Sequence, residues 1–133
     1  MVAPATVLVV EDDPILGDLL RELLAARGHR VEVATSGPEG VACFGALAPA
    51  LVLIDVGLPR LSGDDVLRAI RAAPGGARTP VVLMSAAFVD DDVGPSAGPA
   101  RDPDARVRKP FDLAVLVGVV ERLLREGRSP TLA

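Results

Sequence analysis

The sequence is poor in the residues that build disulfides, zinc sites and aromatic platforms. Cys43 is its one cysteine and His29 its one histidine, and it has three phenylalanines and no tryptophan or tyrosine. One cysteine cannot form an internal disulfide, and one cysteine with one histidine nearly excludes a zinc site. So few aromatic residues also exclude a surface that stacks nucleic-acid bases. The lone cysteine fits a reducing compartment, so we expect a cytoplasmic location.

Positive charge and long apolar runs are also scarce. The chain carries 14 basic and 18 acidic residues, so the basic surface that binds nucleic acids is missing. No apolar run approaches the roughly 18 residues of a membrane span. Residues 1–10 lack the basic and apolar regions of a signal peptide. We therefore expect no direct nucleic-acid binding and no membrane insertion by this chain of 133 residues, a length that suits one domain.

Short apolar runs predict the strands of a sheet. Three runs rich in β-branched residues cover Thr6–Val10, 51–54 and 80–84, and they lack the polar alternation of half-exposed strands. A weaker run covers 31–34, and a last one centres on Val107. The first three runs favour strands that are covered on both faces, and all five runs together predict the strands of the sheet.

Helical patterns lie between the apolar runs. Asp13 and Pro14 are typical of a helix start, an apolar stripe follows them from Leu16 to Leu24, and Gly28 would end this helix. Ser36 and Glu39 have the spacing of a capping box, which predicts a second helix. The two further helices are expected from Asp64 to about Ala73 and from the capping residue Asp112 through Glu126.

Strands that alternate with helices imply an α/β fold with a mostly parallel sheet. We expect one domain over residues 1–127 and a flexible C-terminal tail over 128–133. Residues 89–104 should be the least regular part, because three prolines at four-residue spacing forbid a regular helix there.

Polar residues follow four of the apolar runs. Glu11, Asp12 and Asp13 follow the first run, and Asp55 follows the third. Ser85 and Lys109 follow the last two. Functional residues in an open α/β sheet lie beyond the carboxyl ends of the strands, so these side chains should converge.

Clustered carboxylates repel one another, and Mg²⁺, with its few hard oxygen ligands, would relieve that repulsion. A carboxylate can also accept a phosphoryl group, whose charge a metal, a lysine and a hydroxyl neutralise.

Four ordered motifs resemble the receiver domain of bacterial response regulators. They are residues 7–14 (VLVVEDDP), 51–59 (LVLIDVGLP, with Gly63 following), 81–86 (VVLMSA) and 108–111 (RKPF). Their order and spacing together are a strong signal, and the resemblance covers residues 5–126. It implies a flavodoxin-like, doubly wound fold, with a five-stranded parallel sheet in the order 2-1-3-4-5 flanked by helices.

The resemblance implies a phosphorylation site. Asp55 would be the phosphoacceptor, Ser85 would turn its hydroxyl toward the phosphoryl group, and Lys109 would pair with a phosphate oxygen. Pro110 would follow a cis peptide bond. A histidine kinase or phosphotransfer protein would be the donor, and an unidentified downstream protein would bind the altered surface.

The resemblance also implies a Mg²⁺ site. Asp12, Asp55 and the backbone carbonyl of Gly57 would bind the ion directly. Glu11 would act mostly through metal-bound water. Asp13 serves better as a helix cap than as a ligand.

The chain departs from the family pattern at three places. Arg106 stands three residues before the lysine, where receivers usually carry a Tyr or Phe that reports phosphorylation. The proline-rich residues 89–104 stand where the fourth helix normally lies, so that helix should be short, broken or missing. Gly57 and Ala87 stand where side chains often tune the phosphoryl lifetime, and neither can hydrogen-bond a water. The pocket is intact, whereas the usual surface for partners and dimers is altered.

Three functions therefore stay open. The first is a signalling domain, not an enzyme, which assists its own phosphorylation and dephosphorylation. The second is a pseudo-receiver that binds proteins independently of phosphate. The third, a phosphatase of the haloacid-dehalogenase type, ranks last because Gly57 stands where those enzymes carry a second aspartate. The cognate kinase and the oligomeric state do not follow from the sequence.

Overall fold

The computed structural model describes residues 3–58, 60–86 and 103–128. Strands β1 to β5 cover Thr6–Val10, Arg30–Ala34, Leu51–Asp55, Val81–Ser85 and Ala105–Arg108. Helices α1 to α4 cover Pro14–Ala25, Gly37–Leu47, Gly63–Ala72 and Leu113–Glu126, and a 3-10 helix covers Gly76–Arg78. None of the helices within these ranges is long and apolar enough to cross a membrane.

The five strands form one parallel sheet in the order β2-β1-β3-β4-β5. This arrangement confirms the predicted doubly wound fold. Asp55 pairs with Met84 at the end of β3, and Ser85 pairs with Arg108 at the end of β4. The carboxyl ends of the strands therefore meet along one edge of the sheet, which we call the carboxyl edge.

Two helices cover each face of the sheet. α1 and α4 pack on one face, and α2 and α3 pack on the other. Every residue of β3 and of β4 is buried, which explains why their apolar runs show no polar alternation. Burying one such Val, Leu or Ile side chain contributes about 1.5–3 kcal/mol. The core therefore holds the ends of these strands, and the polar residues there, in fixed positions.

Side-chain caps set the helix starts. Asp13, Ser36 and Asp112 each accept a hydrogen bond from a backbone N–H in the first turn, as predicted. The third helix begins at Gly63 rather than at Asp64, because Ser62 caps it. The Ser62 Oγ accepts a hydrogen bond from the Asp65 backbone N–H and donates one to the Asp65 carboxylate.

Buried ion pairs connect the amino ends of β4 and β5. The Asp104 carboxylate accepts hydrogen bonds from Arg71 Nη2 at 3.1 Å and from the Val81 backbone N–H at 2.8 Å. Arg128 Nε donates to the other Asp104 oxygen at 3.0 Å. Arg128, at the start of the expected tail, is therefore bound to the domain. Residues 129–133 lie outside the described ranges, and so do residues 87–102, on which the expectation for the fourth helix falls.

Candidate functional site

A cluster of three carboxyl groups lies at the carboxyl edge. Glu11 and Asp12 follow β1, and Asp55 is the last residue of β3. One oxygen from each group lies within 4.8 Å of the others. Ser85 is buried at the end of β4, on the strand beside Asp55. The predicted convergence is therefore present for these three carboxyl groups, whereas the Asp13 side chain caps α1 instead.

Lys109 brings a positive charge into this cluster. Its Nζ lies 2.9 Å from Glu11 Oε1 and 3.4 Å from Asp55 Oδ1. Its backbone N–H donates to the Ser85 carbonyl oxygen at 2.8 Å, which extends the β4–β5 pairing by one residue. The peptide bond from Lys109 to Pro110 is cis, as the resemblance implied. Partial burial lowers the pKa of Lys109, but its contacts with the two carboxylates outweigh this effect and raise the pKa, which keeps the amine charged.

Glu11 is the most deeply buried acid of the cluster, with 1% of its surface exposed. Burial, with the nearby Asp55, raises its pKa from 4.5 to about 7, although Lys109 and the Asp13 backbone N–H act in the opposite direction. The Asp13 N–H donates to Glu11 Oε2 at 3.2 Å. One carboxyl group of the cluster therefore takes up a proton near neutral pH.

Asp55 lies between Lys109 and a tight turn. Its Oδ1 accepts a hydrogen bond from the Gly57 backbone N–H at 3.1 Å and also faces Lys109 Nζ. A Cβ at Gly57 would lie 3.8 Å from the same oxygen, an ordinary contact distance. The turn therefore supplies a backbone donor to the carboxylate, while the glycine adds no side chain beside it.

The residues of this cluster fit a divalent cation. Three carboxyl groups and one ammonium group form the cluster, so ionisation of all three acids leaves two negative charges in excess. Burial contributes most to the raised pKa of Glu11, and the neighbouring Asp55 adds to it. The potential ligands are oxygen atoms, which suit Mg²⁺ better than softer metals. Asp12 is exposed, so an ion could reach its carboxylate from solvent.

One feature of the loop after β3 was not visible in the sequence patterns. Arg60, in the loop after β3, has a φ of 67°. This left-handed conformation costs a non-glycine residue about 1–2 kcal/mol, and nothing in the sequence marks an arginine for it. Arg106 is exposed on β5, so its guanidinium does not fill the core.

Residues 7–121 match the family described as the response regulator receiver domain. The chain is 34% identical over 122 residues to the sensory transduction protein RegX3 of Mycobacterium tuberculosis, covering 92% of this chain and 52% of that protein. It is 36% identical over 121 residues to the DNA-binding response regulator MtrA of Mycolicibacterium smegmatis, and this match covers 91% of this chain and 51% of that protein. The chain thus spans about half the length of these relatives.

Solved structures resemble the chain along most of its length. Chemotaxis protein CheY4 of Vibrio cholerae superposes with a TM-score of 0.82 at 24% identity, covering 90% of this chain and 98% of that one, and supports the fold. The receiver domain of a sensor histidine kinase from Pseudomonas aeruginosa superposes with a TM-score of 0.81 at 27% identity, covering 92% of this chain and 99% of that one. That structure holds a magnesium ion in its active site cleft. Both the sequence match and the fold lead to one conclusion: the chain belongs to the response regulator receiver domains.

Proposed function

We propose that this domain accepts a phosphoryl group on Asp55 from a histidine kinase or phosphotransfer protein of a two-component system. The observation that carries the proposal is the position of Lys109 Nζ against both Glu11 and Asp55, inside a cluster of three carboxyl groups. A salt bridge that only stabilises the fold would need a single carboxylate beside Lys109, whereas this cluster has three carboxyl groups. The excess of acids beside a strand-end aspartate is better explained by a site that takes up cations and transferred phosphate.

The proposed reaction is a displacement at phosphorus. A carboxylate oxygen of Asp55 attacks the phosphorus of the donor phosphohistidine, and a P–O bond forms as the P–N bond breaks. The electron pair of the broken bond goes to the imidazole nitrogen, which is then protonated from solvent. Lys109 Nζ, already 3.4 Å from Asp55 Oδ1, pairs with an oxygen of the transferred group. The Ser85 hydroxyl donates a hydrogen bond to another oxygen.

We further propose that the reaction depends on Mg²⁺. Asp12, Asp55 and the Gly57 carbonyl would hold the ion, with Glu11 acting through a bound water. When bound, Mg²⁺ supplies positive charge that neutralises the phosphoryl oxygens. Glu11 would give up its proton when a cation is bound nearby, because the positive charge would lower its pKa. The exposed Asp12 carboxylate and the buried Glu11 carboxyl group thereby have different roles.

The signal in this proposal is a change in protein binding in the cytoplasm. The domain assists its own phosphorylation and dephosphorylation but turns over no separate substrate. Phosphorylated and unphosphorylated forms would then differ in their affinity for a downstream protein. Asp55 stands on β3 and Ser85 on β4, so movement of Ser85 toward the phosphoryl group would reach β5 next, where Arg106 is exposed.

Phosphate-affinity electrophoresis tests the site. The wild type, Asp55→Asn and Asp18→Asn are incubated with acetyl phosphate, with Mg²⁺ or with EDTA. Asp18 is an exposed acid on α1 and serves as the matched control. We expect a slower-migrating band for the wild type and for Asp18→Asn in Mg²⁺, and none for Asp55→Asn or in EDTA. A retarded band in Asp55→Asn contradicts the site, and its absence from the wild type favours the pseudo-receiver alternative.

A further inference from the structure

The loop between β3 and α3 is held by backbone contacts at both ends. We call residues 56–58 and 60–62 the site loop, because they contain Gly57. The Val56 N–H donates to the Met84 carbonyl oxygen at 2.9 Å, and the Gly63 N–H donates to the Val56 carbonyl oxygen at 3.0 Å. A Cβ at Gly63 would lie 2.6 Å from Val56 Cα. The start of α3 therefore rests directly on the backbone that follows Asp55.

Helix α2 contacts the same loop through Gly37, its first residue. A Cβ at Gly37 would lie 2.5 Å from Leu61 Cβ and 2.6 Å from the Leu61 carbonyl oxygen. Real Cβ atoms essentially never approach other atoms so closely. Neither Leu61 atom can rotate away, because one is a backbone atom and the other is bonded to the backbone. A methyl group at position 37 must therefore displace either the helix or the site loop.

The helix has little room to move. One turn further along α2, a Cβ at Gly40 would lie 2.8 Å from Val10 Cγ2, so the helix backbone already lies against β1. Phe44, on the same helix, is buried in the core on this face of the sheet. The site loop, by contrast, contains exposed Arg60 and half-buried Leu61. The loop is therefore the part that a larger residue at position 37 would move.

We propose that Gly37 is a positioning residue for the site loop, and that its missing side chain keeps Gly57 in register with Asp55. This inference rests on the proposed function, because Gly57 is the proposed source of a Mg²⁺-binding carbonyl. Because Leu61 and Gly57 belong to the same short loop, a displacement of Leu61 would also displace Gly57. The hydrogen bond from the Gly57 N–H to Asp55 Oδ1, now 3.1 Å, would then lengthen or tilt.

The test compares Gly37→Ala with Gly45→Ala. Both substitutions add one methyl group to α2, but a Cβ at Gly45 meets no atom within 4 Å. Urea unfolding shows whether each variant folds. The amide resonances of Val56 and Gly57, followed during a Mg²⁺ titration, report the loop geometry and the metal affinity. The rate of phosphorylation by acetyl phosphate provides a separate reading.

We expect Gly45→Ala to match the wild type in its Gly57 amide resonance, its Mg²⁺ affinity and its rate of phosphorylation, and to be more stable in urea by up to about 1 kcal/mol, because alanine favours a helix interior more than glycine does. Gly37→Ala should fold, shift the Gly57 amide resonance even without metal, and bind Mg²⁺ about tenfold more weakly, because residues that hold a metal ligand in position typically have effects of this size or larger on metal affinity. Equal Mg²⁺ affinity and unchanged resonances in Gly37→Ala would overturn the inference.

A second variant covers the case in which Gly37→Ala does not fold. Leu61→Gly removes the Cβ against which Gly37 packs, so it loosens the loop from its other side. Weaker Mg²⁺ binding and a shifted Gly57 amide in this variant support the inference, and wild-type values refute it. If the wild type binds Mg²⁺ but accepts no phosphoryl group, the proposed function fails, while the comparison of Mg²⁺ affinities still decides the role of Gly37.

Discussion

The buried carboxyl group of Glu11 should make the stability of the metal-free domain fall as the pH rises through neutrality. In the folded domain its pKa is about 7, against 4.5 for an ordinary glutamate. Between these pH values the folded domain holds a proton that the unfolded chain has lost. Unfolding then releases a proton, so a higher pH favours the unfolded state. The stabilising contribution is complete below pH 4.5 and is lost by about pH 7.

The two pKa values set the size of the effect. They differ by about 2.5 pH units, and each unit corresponds to about 1.4 kcal/mol. Between pH 4.5 and pH 8, the free energy of unfolding of the wild type should therefore fall by about 3 kcal/mol more than that of a variant that cannot ionise at position 11. This change is a large fraction of the 5–15 kcal/mol that is typical of a domain. Glu11→Gln supplies the reference, since its amide does not ionise.

Urea unfolding in EDTA measures this difference. The helices provide a circular-dichroism signal, which is needed because the chain has no tryptophan or tyrosine. Wild type, Glu11→Gln and the control Glu22→Gln, which replaces an exposed glutamate on α1, are unfolded at several pH values. Subtracting the Glu11→Gln curve removes the contribution of the titrating groups that do not contact Glu11. Parallel curves for wild type and Glu11→Gln would refute the argument, whereas wild type and Glu22→Gln should run together.

Three further predictions concern other parts of the domain. Asp12→Ala should weaken Mg²⁺ binding, measured by isothermal titration calorimetry, because it removes the exposed carboxylate of the cluster; an unchanged affinity would exclude Asp12 as a ligand. Asp104→Asn should cost about 3–5 kcal/mol of stability in urea unfolding, because it leaves the buried Arg71 guanidinium without the charge of its partner; a loss below 1 kcal/mol would contradict this. Ala48→Gly should raise the melting temperature, since Ala48 ends α2 at a φ of 47°, where a Cβ costs about 1–2 kcal/mol.

The three central strands, β1, β3 and β4, were predicted to within one residue because each is buried by neighbours on both faces. β4 begins at Val81 rather than at Pro80, since proline has no N–H to donate. β3 extends to Asp55, because the next N–H, from Val56, still pairs with β4. Such shifts of one residue depend on which backbone groups find partners, and apolar patterns do not report those partners.

Helix ends were harder to predict where two residues could perform the same task. Ser62 and Asp64 can both cap a helix, and Ser62 caps α3 because its hydroxyl bonds both the N–H and the carboxylate of Asp65. α1 ends at Ala25 rather than continuing to Gly28, since the following turns tighten into hydrogen bonds across three residues. The local sequence permits either helix end, and the hydrogen bonds of the folded domain determine which one forms.

The location of the candidate site was predictable, whereas its electrostatics were not. Asp55 and Lys109 stand at strand ends that a parallel sheet must bring together. The burial that gives Glu11 its high pKa depends on the sheet and helices around it, which a list of residues does not contain. The same is true of the pair formed by Arg71 and Asp104, because an arginine near a helix end ordinarily reaches solvent.

The two outer strands of the sheet affect how copies of the domain can meet. An outer strand exposes backbone N–H and carbonyl groups that another strand could bind. On β2 the exposed Arg30 lies at the outer edge, and on β5 the exposed Arg106 and Arg108 stand on either side of the buried Val107. Two copies that approached through β5 would bring their Arg106 guanidinium groups close together, and like charges across a strand pair are destabilising. The outer strands are therefore protected against pairing with the outer strands of other copies. Copies that associate are expected to do so through their helices.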